Sequence, residues 1–66
     1  MFVRMGGVIV NTERVTHLFN RECNKKYEIV VCFDNGQEMV VARPTKDNLK
    51  QTLDEATQML NKELVL

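Results

Sequence analysis

Few residues in this chain have the chemistry to act on another molecule. His17 is the only histidine, Cys23 and Cys32 are the only cysteines, and Asp54-Glu55 is the one adjacent pair of carboxylates. Nucleophilic or metal chemistry needs the histidine to meet a thiol, a hydroxyl or a carboxylate cluster inside a pocket. The plainer reading of His17 is a strand residue partly open to solvent. Cys32 stands between Val31 and Phe33 and reads as a buried thiol, because a reactive one needs a cation or a helix N-terminus to lower its pKa. Cys23 lies in a polar stretch, and with no Cys-x-x-Cys spacing both thiols are expected to be free. Asp54 and Glu55 are neighbours on a predicted helix, where they point in different directions and read as a solvated face. No catalytic, cofactor-binding or metal-binding constellation emerges, so a non-enzymatic protein is expected.

A second group of residues has the chemistry of a binding platform. Arg14, Arg21, Lys25, Lys26 and Arg43 are interleaved with Phe19 and Tyr27, and cations beside aromatic rings are what a single-stranded nucleic acid needs for its phosphates and bases. The charge balance weighs against that reading. Nine Lys/Arg match nine Asp/Glu; residues 1–46 hold seven cations against five acids and residues 47–66 two against four. So even a distribution supplies little long-range attraction for nucleic acid or an anionic membrane. Single-stranded nucleic-acid binding through Arg14, Arg21, Lys25, Lys26, Arg43 and Tyr27 therefore stands as the second reading.

The elements that position these side chains centre on Tyr27–Ala42, where two β-branched runs flank Asp34-Asn35-Gly36. Such a pattern predicts a β-hairpin with the glycine at positive φ. A three-residue loop with a glycine bulge sets Phe33 opposite Gln37, so Ile29, Val31, Phe33, Met39 and Val41 share one face and Val30, Cys32, Glu38 and Val40 the other. Upstream, Gly6-Gly7 splits Phe2–Met5 from Val8–Val10 and predicts a first, shorter hairpin. Arg14–Asn20 alternates as a further strand, with Val15, His17 and Phe19 on one face and Thr16 and Leu18 on the other. Arg21–Lys26 is charged and lacks a period, so it is expected to be an exposed connection.

Arg43-Pro44 ends the last strand, since proline donates nothing to a ladder. A helix is predicted to follow, with Thr45 as N-cap and Asp47 in the first turn. Leu49, Leu53, Ala56, Leu60 and Leu64 form its apolar stripe, and Lys50 and Asp54 sit at i,i+4 spacing outside it. The expected fold is therefore α+β: an antiparallel meander of four to five short strands with one C-terminal amphipathic helix packed on one face, residues 1–66 forming a single small domain.

That architecture has a consequence for function. The hairpin is apolar on both faces and one helix covers one of them, which leaves Val30, Cys32 and Val40 as an expected interaction surface. In a chain this short, close to the lower size limit for a self-sufficient core, a second copy or another protein is the expected cover. The expected function is a small protein-binding adaptor or regulatory protein acting through its sheet as a homodimer, with an as yet unidentified protein partner. No apolar run approaches the roughly 20 residues that cross a bilayer, and the N-terminus lacks the features of a signal peptide. A soluble protein of the reducing cytoplasm is expected.

Three blocks, Arg4–Asn11, Glu13–Leu18 and Ile29–Val41, together resemble the small flagellar-operon proteins of the FlbD family. That family runs strand, Asn-Gly-type turn, strand ending in asparagine, a Val/Ile strand, a Gly-turn hairpin and a helix. The resemblance implies the same α+β order of elements and a motility-associated role. Where the family carries Pro-Asp-Thr ahead of its hairpin, this chain has Lys26-Tyr27-Glu28.

Overall fold

Gly6-Gly7 reverses the chain between two four-residue strands, β1 (Phe2–Met5) and β2 (Val8–Asn11). Their register pairs Val3 with Val10 and Met5 with Val8 on one face, and Phe2 with Asn11 and Arg4 with Ile9 on the other. The Asn11 side chain then accepts the Glu13 N–H at 3.1 Å and caps a single 3-10 turn, Thr12–Arg14. Thr12, the first residue of this turn, is buried and donates its N–H (2.8 Å) and its hydroxyl (2.9 Å) to the Met1 carbonyl. Both of its polar groups are thereby satisfied, as burial requires.

The computed structural model describes residues 1–60. After the 3-10 turn come β3 (Val15–Cys23), β4 (Lys26–Phe33) and β5 (Glu38–Ala42), an antiparallel meander forming a second sheet beside the β1–β2 hairpin. The α+β class is as expected, with five strands split between two sheets rather than joined in one. The helix α1 (Leu49–Leu60) follows β5.

The β4–β5 turn takes the expected form. Gly36 has φ +85°, Phe33 donates to the Gln37 carbonyl at 2.9 Å, and Gly36 donates back to Phe33 at 3.0 Å. Cys32 then faces Glu38, Val31 faces Met39 and Val30 faces Val40. Further along, Ile29 pairs with Ala42, so a bulge accommodates Val41 while keeping it in the core.

Three expectations need correction. Arg21–Lys26 is not a loose connection: strand pairing continues through Arg21 with Glu28, Glu22 with Tyr27 and Cys23 with Lys26. The reversal is the dipeptide Asn24-Lys25, both at positive φ (53° and 63°), the geometry of a tight two-residue hairpin turn. A ribbon solvated on both sides needs no apolar alternation, which is why its residues carry no strand period. Second, the register shifts between Val15 and His17, and this bulge turns Val15 onto the same buried face as Leu18, leaving His17 and Phe19 on the other. Third, Thr45 is an N-cap with Asp47 in the first turn, as expected, but the turn it caps is a 3-10 turn, Lys46–Asn48, and the α-helix begins only at Leu49. The Asn48 side-chain oxygen there accepts the Thr45 N–H at 2.8 Å and hydroxyl at 3.0 Å.

The core lies between the hairpin, the inner face of the meander and the helix. Met5 and Val10 come from the hairpin, Val15, Leu18, Ile29, Val31 and Val41 from the meander, and Leu53, Ala56 and Leu60 from α1. Leu49 packs at its margin, and Leu64 lies outside the described residues. On the helix surface the Gln51 side chain donates to Glu55 at 3.1 Å; Lys50 and Asp54 form no ion pair among the described residues.

Candidate functional site

The outer face of the meander was the expected interaction surface, and its residues stand in three rows across the strands. His17, Cys32 and Glu38 form one row, Phe19, Val30 and Val40 the next, and Arg21 with Glu28 the third. Arg21 Nε donates to Glu28 Oε1 at 2.9 Å, and its Nη1 lies 3.8 Å from Glu38 Oε1. Because those two carboxylates belong to the rows on either side of Val30, the arginine lies across the middle row. Arg43 reaches the second oxygen of Glu28 at 3.4 Å.

Val30 is consequently 0% exposed and Cys32 7%. Of the three residues expected to offer apolar surface, only Val40 keeps partial exposure. The correction has a physical cause: flanking side chains and the aliphatic stem of an arginine cover a narrow sheet without a second layer. The ion pairing holds the Glu28 carboxyl below its ordinary range, chiefly through the Arg21 hydrogen bond, and the same contact raises Arg21.

The His17–Cys32–Glu38 row has the residue types of a thiol nucleophile with a base and a carboxylate. Its electrostatics run the other way. Burial pushes the Cys32 thiol up, the Glu38 charge adds to the shift, and the sulfur donates to Glu38 Oε2 at 3.9 Å. A thiolate nucleophile needs the opposite environment. His17 Nδ1 is engaged with the Thr16 hydroxyl at 2.9 Å, and its ring stacks on Phe19 with centroids 6.3 Å apart. Cys23 is exposed near the ribbon tip, and both thiols are free. Asp54 and Glu55 are exposed on α1. Among the described residues no three His, Cys, Asp or Glu side chains are grouped so as to hold a metal ion.

The cations singled out in the sequence divide between sites. Arg14 is at the far end of the meander, bonded to Asp34 at 3.1 Å. Arg21 lies on the outer face. Lys25, Lys26, Tyr27 and Arg43 do come together, lining one groove with Glu22, Pro44, Thr45 and Lys46. Lys46 had not been singled out. It enters because the chain past β5 continues beside the projecting β3–β4 ribbon, which no local pattern announces.

Sequence reading also passed over the exposed side of the first hairpin. Met1 (72%), Phe2 (69%) and Ile9 (63%) are the most exposed large apolar side chains among the described residues. Phe2 and Ile9 are diagonal neighbours on one face, with Arg4 paired to Ile9. A signal was available: Arg4 marks the solvent side of β1, and strand alternation puts Phe2 on that same side.

No protein-family model, curated protein or solved structure matches this chain.

Proposed function

We propose that this protein is a non-enzymatic protein-binding module that works as a homodimer through the outer face and free edge of its β1–β2 hairpin. The observation that carries this reading is the pair Phe2 and Ile9, large apolar side chains that stand in solvent as diagonal neighbours on one side of a two-stranded sheet. Singly exposed apolar residues are ordinary, whereas adjacent large ones mark interaction sites. Chain ends commonly fray, but here the two Thr12 bonds to the Met1 carbonyl hold Met1 and Phe2 in place, so the patch is presented with little left to order on binding.

A second copy is the partner that fits best. β1 and β2 each have a strand neighbour on one side only, and pairing equivalent edges about a two-fold axis satisfies main-chain groups in both copies while placing the apolar patches together. A formal net charge of zero sets up no repulsion between copies. A standard interface buries about 800 Å² per partner, roughly one sixth of this chain's 4744 Å² surface. Two side chains fall short of that, so a weak dimer is the expected outcome.

Light scattering over a concentration series tests the proposal. The mass should rise from 7.7 kDa toward twice that value between about 10 µM and 1 mM, the regime of small interfaces. Ile9→Lys should stay monomeric with an unchanged melting temperature. A parent protein that remains monomeric at the highest concentration would sink the reading, as would an Ile9→Lys variant that associates like the parent.

A further inference from the structure

The groove at the ribbon's end carries an inference independent of the hairpin surface. β5 pairs with β4 no further than Ile29 and Ala42, so residues 21–28 project beyond the meander as a two-stranded ribbon. Arg43-Pro44-Thr45-Lys46 runs alongside and forms the opposite wall of a groove of about 550 Å³, a volume within the range of small-ligand sites. Four cations line it, Lys25 and Lys26 from the ribbon and Arg43 and Lys46 from the connection, against one carboxylate, Glu22. The nearby Glu28 is already shared between Arg21 and Arg43. Lys25, Lys26 and Lys46 have no ion-pair partner among the described residues. Tyr27 contributes a half-buried aromatic ring.

The backbone gives a second, separate observation. Lys25 has φ +63°, a conformation that glycine adopts freely and an unbranched side chain adopts only at a cost. At the second position of such a turn glycine is the favoured residue, so the chain holds a lysine where its own stability favours none. Strain of this kind marks a side chain kept for what it does.

We infer that this groove binds a short stretch of single-stranded nucleic acid, with Lys25, Lys26, Lys46 and Arg43 on successive phosphates and Tyr27 against a base. Clustered point charges beside an aromatic ring suit a phosphodiester chain with flat bases, and an unpaired strand is flexible enough to follow a groove only a few residues long. An acidic peptide would satisfy the charges and leave the ring without a role.

Fluorescence anisotropy with a labelled single-stranded oligouridylate of about twelve nucleotides tests this on the whole chain. Raising salt from about 50 to about 200 mM should weaken binding about fiftyfold, the loss for four neutralised phosphates at about 0.7 per charge. Lys46→Glu and the double variant Lys25→Glu/Lys26→Glu should each lower affinity at least about tenfold, while Arg14→Gln at the far end of the sheet should bind like the parent. Lys25→Gly separates function from folding: it should raise the melting temperature and weaken binding together, which a merely structural turn residue cannot do. Tyr27→Leu should weaken binding without changing the salt slope. No binding at low salt, groove variants that bind like the parent, or tighter binding of a polyglutamate peptide than of the oligonucleotide would each overturn the inference.

Discussion

Gly6 lies against the main-chain carbonyl of Val41, so close that a Cβ on Gly6 would overlap the carbonyl oxygen. The contact joins the turn of the first hairpin to the bulged end of β5. It sets one sheet against the other, and a backbone atom cannot move aside as the end of a flexible side chain can. Gly6 also has φ +56°, so any side chain there meets both a steric and a conformational penalty. Gly6→Ala should therefore destabilise the fold by more than about 2 kcal/mol. Gly7→Ala, also at positive φ but facing open space, should cost no more than about 1 kcal/mol. Urea melts of the two variants measure the difference, and equal losses would remove the packing argument.

Gly36 tests the conformational penalty alone, because a Cβ built there has no neighbour within 4 Å and φ is +85°. Gly36→Val should destabilise by about 1–3 kcal/mol, since a β-branched residue is strained at positive φ. Gly36→Asn should be much milder, because asparagine tolerates that region. Losses of the same size from both would contradict the turn geometry.

Leu53, with Ala56 and Leu60, brings the helix into a core otherwise made by strands. Leu53→Ala should cost about 2–5 kcal/mol. A chain of this length has roughly 3–10 kcal/mol in total, so the variant should melt at a much lower temperature and with poor cooperativity by circular dichroism. An unchanged melt would mean that α1 contributes little to the core.

Glu28 links the outer face to pH. Its carboxyl is held below the usual range in the folded chain by the Arg21 hydrogen bond, so folding favours its ionised form. That contribution is complete above the unfolded glutamate value of about 4.3 and is lost as pH falls through the lower folded value. Glu28→Gln should thus lower stability near neutral pH and flatten its decline in acid. The readout is the melting temperature from pH 7 downward, and parallel curves for parent and variant would refute the linkage.

The two cysteines should differ in reactivity. Cys23 is exposed, whereas Cys32 is buried with its thiol pushed up by that burial. A thiol reagent at neutral pH should label one equivalent quickly, and the second only as the protein unfolds. Peptide mapping that finds Cys32 labelled first would contradict the covered outer face.

Local patterns in the sequence were enough to set every turn whose chemistry is self-contained. Gly6-Gly7 and Asp34-Asn35-Gly36 announce their reversals because glycine's missing Cβ is itself the cause of the conformation. The Leu49–Leu60 stripe announces the helix because one face must be dry. From these alone the α+β class followed, and so did the face shared by Ile29, Val31, Phe33, Met39 and Val41. Tertiary structure decided the rest. Asn24-Lys25 carries no glycine, and the ribbon that it closes has two wet faces, so its pairing leaves no apolar period. The bulge at Thr16 depends on what Val15 packs against, and the cover over Val30 depends on Arg21 reaching two carboxylates that are ten residues apart in the chain. Burial is likewise a property of the assembled chain: Val30 was expected to be open and is enclosed, while Phe2 and Ile9 drew no attention and stand in solvent. Which apolar residue meets water is settled by the long-range packing of the two sheets, and a linear pattern records only the preferences of each strand.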